Sequence, residues 1–166
     1  MIVEEFNSLD AGDARARVLV WAAIPVWADA VVAGRPYASA DALVESAGRL
    51  AQEWGEADLD TALSHHPRIG ERAAGTDAEA AASRAEQAAM ATAAEDVATR
   101  IADGNRAYEE RFGRVFLIRA AGRSPEEMLA ELERRLGDDA AAEAREALSQ
   151  LAEIALLRLR AFLAEG

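Results

Sequence analysis

The sequence predicts an all-α fold: a single compact domain over residues 1–166, with about seven to nine helices. Ala, Leu, Glu and Arg dominate the chain, and these residues are strong helix formers. Alternation of apolar and polar residues with a period of two, which marks strands, is almost absent. At this length one core can form without disulfides or a structural metal.

Caps and breakers place the first two helices. One is predicted at residues 13–21, and a second at residues 26–33. Gly34 and Pro36 stop the second helix, because proline cannot continue an α-helical hydrogen-bond ladder.

Ser39 is the predicted N-cap of the third helix, and Asp58 is predicted to open a short fourth one. The short helix ends near His65, because the residue before Pro67 is disfavoured in the α region. The apolar face of the third helix is expected to hold Leu43, Val44, Ala47 and Leu50.

The second half of the chain contains two strong helix-start signals. Residues 76–79, TDAE, form a capping box, and Ser124 is followed by Pro125 at the first helical position. Between them, a long helix is predicted at 95–111 with a bend at Gly104, and residues 112–118 are the one stretch compatible with extended structure. The last helix, residues 139–163, is long and amphipathic.

Composition excludes several classes of function. With no cysteine, disulfides and thiolate chemistry are excluded, and with no lysine so is Schiff-base catalysis. The net charge of −12 opposes binding to nucleic acid. No apolar run is long enough for a membrane span and the N-terminus has no signal-peptide pattern, so a cytoplasmic protein is expected.

Residues 65–71, HHPRIGE, follow the end of the short helix. A histidine held by a following proline is a candidate acid or base, because its pKa lies near neutrality. The alternative is a surface loop with two capping histidines.

Ser83, Glu86, Gln87 and Met90 share one face of an alanine-rich helix. These polar groups either face a pocket, where small neighbours allow close approach of a ligand, or form a solvated surface.

Arg158 points the same way as the apolar stripe of the last helix, whereas Arg160 is expected to be exposed. A buried guanidinium needs an anionic or multi-acceptor partner, which is either an internal glutamate or a ligand.

The stretch that ends at Ile118 pairs Tyr108 with Phe112 and then turns at Gly113. The apolar run after Gly113 is expected to be buried, so its main-chain groups must bond to a ligand or to neighbouring helix ends.

Five segments of the chain stand in a common register. They are His66-Pro67-Arg68-Ile69-Gly70; Ser83-x-x-Glu86-Gln87; Asn105-x-x-Tyr108-x-x-x-Phe112-Gly113-x-x-Phe116; Arg134-Arg135-Leu136 with the run ending at Arg158-Leu159; and Trp27 with Arg35-Pro36-Tyr37. Together they resemble one known family, the 2-oxo-4-hydroxy-4-carboxy-5-ureidoimidazoline (OHCU) decarboxylases of urate (purine) breakdown. Any one of these motifs is weak, but their common order over nearly the whole chain is specific.

The resemblance implies an all-helical, homodimeric carboxy-lyase that needs no cofactor and no metal. It implies conversion of OHCU to (S)-allantoin and carbon dioxide, with His66 and Glu86 as catalytic residues. By the same resemblance, the substrate-binding residues are Pro67, Ser83, Gln87, Ile118, Arg119, Ala120 and Arg158. Arg68 and Asp138 depart from the residues common in the family, which bears on specificity more than on activity.

Two other functions fit parts of the sequence. One is a non-catalytic acidic α-helical interaction domain, in which Arg158 pairs with an internal glutamate. The other is a relative that acts on another ureido or imidazolone acid. The enzyme requires His66, Glu86 and Arg158 to converge on one cavity, which separates it from the interaction domain.

Overall fold

A computed structural model describes residues 2–64 and 94–165 of the chain. Within these ranges all regular structure is α-helical, so the predicted all-α class is confirmed. The eight helices of this part are α1 (Val3–Ser8), α2 (Ala11–Trp21), α3 (Pro25–Ala33), α4 (Ala40–Ala51), α5 (Glu56–Leu63), α6 (Glu95–Phe112), α7 (Pro125–Arg135) and α8 (Ala140–Ala164).

Side-chain caps begin several helices. The predicted N-cap Ser39 accepts a hydrogen bond from the Ala42 N–H at 3.0 Å, and Ser124 accepts one from the Glu127 N–H at 3.1 Å. α2 begins before residue 13, because Asp10 is its N-cap and accepts from a main-chain N–H in the first turn. The predicted capping box at residues 76–79 lies outside the described residues.

The prediction that Asp58 opens its helix was wrong by two residues. α5 starts at Glu56, and the Asp58 carboxylate accepts from the Gly55 N–H at 2.9 Å. The side chain therefore bonds back to the residue before the helix, as the acidic residue of a capping box does.

Helix α1 was not predicted from the sequence. Tertiary contacts hold it, because Phe6 is fully buried and its ring packs 5.8 Å from that of Trp21. Arg35 donates from Nη1 to the main-chain oxygens of Phe6 at 3.0 Å and Leu9 at 2.6 Å, which satisfies carbonyls at the end of the helix.

The chain forms two compact units, of which the first takes residues 1–62 and 152–166. In this unit α2 packs on α3, and α3 packs on α4. Trp27 of α3 meets Trp54 edge to face, with ring centroids 5.2 Å apart, and its indole N–H donates to the Ala47 carbonyl at 3.1 Å. The Ala47 carbonyl thus satisfies the indole N–H, which allows a tryptophan to be buried in this core.

The second unit takes residues 63–151, and its main contact in the described part is between α6 and α7. At their crossing, a Cβ added to Gly104 would lie 2.6 Å from Cδ2 of the fully buried Leu132. Glycine at this position therefore allows the two helices to approach closely.

The last helix, α8, is capped by Asp139, whose carboxylate accepts from the Ala142 N–H at 2.7 Å. Among the helices that the structure describes, each is too short or too polar to span a bilayer.

Candidate active site

The structure describes four of the nine residues predicted for the site. Ile118, Arg119 and Ala120 lie in the second unit, between α6 and α7, and Arg158 lies on the part of α8 that belongs to the first unit. The other five predicted residues, His66, Pro67, Ser83, Glu86 and Gln87, lie outside the described residues. The convergence of His66, Glu86 and Arg158 stays a prediction.

The chain between α6 and α7 is non-helical, and the apolar run that follows Gly113 is buried from Phe116 to Ile118, as the sequence predicts. It begins at Gly113, which ends α6 in the left-handed conformation with φ of 71° and donates its N–H to the Glu109 carbonyl. The buried side chains of the segment are Phe116, Leu117, Ile118 and Ala120.

Side chains of neighbouring helices bind two main-chain groups of this buried segment. The Leu117 carbonyl accepts a hydrogen bond from Arg135 Nη1 at 2.8 Å. The Arg119 N–H donates to Gln150 Oε1 on α8 at 2.9 Å. The helices of the second unit therefore satisfy part of the segment's hydrogen-bonding capacity.

A buried ion pair supports the same segment. Arg135, 2% exposed, donates from Nε to both carboxylate oxygens of the fully buried Glu143, at 3.1 and 3.0 Å, and also from Nη2. Tyr108 donates to Glu143 Oε1 at 2.5 Å, and the Arg135 guanidinium lies 4.5 Å from the Phe116 ring centroid. The pair is thus bonded on several sides, the condition under which a buried ion pair is tolerated.

The environment of Tyr108 keeps its hydroxyl protonated. Burial, and then the hydrogen bond to Glu143, raise the pKa of Tyr108 well above its ordinary value of 10.0. The hydroxyl therefore donates to the carboxylate throughout the physiological pH range.

The sequence prediction missed Arg135, Glu143 and Gln150 as supports of the site. Helical spacing would have indicated two of them: Arg135 follows the buried Met128 and Leu132 by seven and three residues, and Glu143 precedes the buried Ala147 by four. The same reasoning had selected Arg158.

Arg158 is buried, with 8% of its surface exposed, and Arg160 is exposed, as predicted. Arg158 donates from Nη1 to the Val20 carbonyl at 2.8 Å. Val20 lies in the last turn of α2, where carbonyls carry the negative end of the helix dipole. One partner of the guanidinium is therefore a helix C-terminus, which fixes the orientation of the side chain.

Asp138 is one of the two departures from the family pattern, and it lies in an acidic group; the other, Arg68, lies outside the described residues. Asp138, Glu143 and Glu146 each place a carboxylate oxygen within 4.8 Å of the others. A hydrogen bond shared with Glu146, together with burial, raises the pKa of Asp138. A cation would meet a Glu143 carboxylate already bonded to Arg135 and Tyr108, so the group acts as part of the structural network.

A family model for OHCU decarboxylase matches residues 7–160 of the chain. The chain belongs to the OHCU decarboxylase family. This match confirms the resemblance of the sequence motifs, and it runs through both compact units.

Two curated relatives of this family member carry the name 2-oxo-4-hydroxy-4-carboxy-5-ureidoimidazoline decarboxylase. The protein from Amia calva is 35% identical over 138 residues, which are 82% of this chain and 79% of the relative. The protein from Haloferax volcanii is 32% identical over 136 residues, which are 81% of this chain and 79% of the relative.

Two solved structures share the fold. An OHCU decarboxylase crystallised in the presence of (S)-allantoin aligns with a TM-score of 0.73 and 24% identity, over 87% of this chain and 95% of that one. An (S)-allantoin synthase aligns with a TM-score of 0.70 and 16% identity, over 97% of this chain and 54% of that one.

Proposed function

We propose that this member of the OHCU decarboxylase family converts OHCU to (S)-allantoin and carbon dioxide, with His66 as the proton-transfer residue. The observation that carries the proposal is the family match over residues 7–160. Curated relatives that bear the decarboxylase name at 32–35% identity support it. The two matches make the chain a carboxy-lyase of purine breakdown.

The chemistry of the substrate suits a site of side chains alone. OHCU carries a hydroxyl and a carboxylate on one ring carbon beside a C=N bond. When the bond from that carbon to the carboxylate breaks, carbon dioxide leaves and the electron pair moves into the adjacent imine. One proton, delivered to one face of the resulting enol-like intermediate, gives a single enantiomer of allantoin.

His66 delivers that proton in the proposed mechanism and interacts with the substrate hydroxyl. A positioned acid or base contributes about 10²–10⁴-fold to the rate. Glu86 orients His66 or binds the N–H groups of the ring and ureido chain. Pro67, Ser83 and Gln87 complete the contacts to the ring, and the main chain of residues 118–120 binds an edge of the substrate.

Arg158 contacts the carbonyl or ureido edge of the substrate in this proposal. A tight grip on the departing carboxylate would stabilise the ground state and slow its loss, so the uncharged edge is the better target. The bond to the Val20 carbonyl supports this role because it orients a guanidinium that has five donors in a rigid plane.

A coupled assay tests the activity. Urate oxidase and hydroxyisourate hydrolase generate OHCU, this protein is added, and optical rotation is followed against the slow spontaneous formation of racemic allantoin. Rapid formation of one enantiomer is expected. Racemic product at the spontaneous rate would contradict the proposal and favour another substrate or a non-catalytic binding domain.

Two neighbouring histidines provide a matched pair of variants for the role of His66. His66→Asn is expected to abolish turnover while the helical circular dichroism is retained, and His65→Asn is expected to leave turnover within about threefold of wild type. Near-wild-type rates in His66→Asn would remove this residue from the mechanism.

The remaining parts of the proposal concern organisation. One family match through both compact units supports the single domain predicted over residues 1–166. A homodimer that works without a cofactor is the state that the family resemblance implies, and the cytoplasm is the location expected from the sequence. Light scattering coupled to gel filtration tests the dimer, since a monomeric mass at assay concentrations would contradict it.

A further inference from the structure

Two successive peptide groups around Ile118 are each held by a side chain of a neighbouring helix. Arg135, the last residue of α7, binds the carbonyl of the Leu117–Ile118 peptide at 2.8 Å. Gln150 of α8 binds the N–H of the Ile118–Arg119 peptide at 2.9 Å. All of these residues belong to the second unit.

Because a peptide group is planar, each of these two hydrogen bonds also sets the orientation of one main-chain group of Ile118. A trans peptide is planar, and its C=O and N–H point in opposite directions. Both peptides are trans, because the one cis bond in the described ranges is Arg35–Pro36. Holding the Arg119 N–H toward Gln150 therefore directs the Ile118 carbonyl away from α8. The Arg135 bond likewise directs the Ile118 N–H away from Arg135.

The geometry points to Gln150 as a positioning residue, which sets the direction of the Ile118 carbonyl that accepts an N–H of the substrate. This inference rests on the proposed function, in which the main chain of residues 118–120 contacts OHCU. The substrate offers matching donors in the N–H groups of its ring and ureido chain. Gln150 acts through the peptide and does not touch the substrate.

Gln150 is also the anchor that can be changed without unfolding the core. Arg135 is buried together with Glu143, so replacing Arg135 would leave the Glu143 carboxylate buried without a countercharge. Gln150 is half-buried on α8, and methionine there keeps both side-chain length and helix propensity. The side-chain oxygen is the one feature that Gln150→Met removes and Gln150→Glu retains.

The experiment compares Gln150→Met and Gln150→Glu in the full-length protein, with Gln52→Met as the matched control at an exposed glutamine. Gln150→Met loses the hydrogen bond from the Arg119 N–H. Loss of this bond predicts a rise in KM of about three- to tenfold, with kcat within about twofold of wild type. Gln150→Glu and Gln52→Met are expected to keep the wild-type KM. In parallel, amide hydrogen exchange at Arg119 is expected to accelerate about tenfold in Gln150→Met alone.

A purely structural role for Gln150 gives a different result. It predicts a lower melting temperature and a smaller active fraction, which lower kcat and leave KM unchanged. An unchanged KM in Gln150→Met, or unchanged exchange at Arg119, would overturn the inference. Racemic product from the wild type would instead overturn the proposed function and the substrate contact with it, while exchange at Arg119 still decides whether Gln150 holds the peptide.

Discussion

Replacement of Glu143 by glutamine tests the energetic role of the buried ion pair. Glu143→Gln preserves the shape of the side chain but leaves the guanidinium of Arg135 without a countercharge, at a site where the two side chains are 2% and 0% exposed. Such a buried, uncompensated charge costs about 3–5 kcal/mol of unfolding free energy. Because domains are stable by only about 5–15 kcal/mol, the variant should lose a large part of its stability.

An adjacent arginine supplies the matched control. Arg134 pairs with Glu131 at 2.7 Å, and these side chains are 50% and 34% exposed. Solvent screens this pair, so Glu131→Gln is expected to cost less than about 1 kcal/mol. The measurement is urea unfolding at pH 7, monitored by far-ultraviolet circular dichroism. The urea midpoints and unfolding free energies of the variants are compared.

A third variant keeps the test decisive if Glu143→Gln does not fold. Arg135→Met, Glu143→Leu and Tyr108→Phe together remove all three polar side chains of the network, and a well-packed apolar replacement recovers stability. The triple variant is expected to be more stable than Glu143→Gln. The reasoning is refuted if Glu143→Gln loses no more stability than Glu131→Gln, or if the triple variant is the least stable.

Three further substitutions test local features. Gly104→Ala is expected to cost about 1–2 kcal/mol, because overpacking against buried Leu132 costs about 1–3 kcal/mol and outweighs the gain in helix propensity of about 0.5–1 kcal/mol. Ser124→Ala is expected to cost about 1 kcal/mol through loss of the α7 N-cap, measured as a lower urea midpoint. Asp138→Asn is expected to raise the urea midpoint at pH 7. Glu146 raises the pKa of Asp138 above its ordinary value of 3.8, so ionised Asp138 destabilises the fold. The gain should shrink as pH falls through the raised pKa of the folded state and be gone below 3.8.

Each of these predictions has a control and an outcome that contradicts it. Gly48→Ala on α4 would place its Cβ at an ordinary 3.4 Å from Leu156, so it should stabilise the protein. Equal effects at Gly104 and Gly48 would show that the α6–α7 crossing is not tight. An unchanged urea midpoint in Ser124→Ala would show that the N-cap of α7 does not contribute to stability. A gain in Asp138→Asn that persists at pH 3 would show that charge is not its cause.

Local sequence determined most of the fold. Ser39 and Ser124 cap their helices as predicted, and the spacing of apolar residues gave the buried face of α4 and the burial of Arg158. These features depend on residues within three or four positions of each other, so a single sequence contains the information. The family motifs added the expected reaction and site residues, and the family match confirms the reaction class.

Contacts between distant residues decided the rest. Helix α1 has only six residues, too few to be stable alone, and it depends on Trp21 and Arg35. The sequence analysis did not single out Arg135, Glu143 or Gln150, because only the packing of the second unit pairs the first two and brings Gln150 to the Arg119 N–H. Such pairings depend on helix packing and not on local propensity, and for that reason only the tertiary structure reveals what supports the main chain at Ile118.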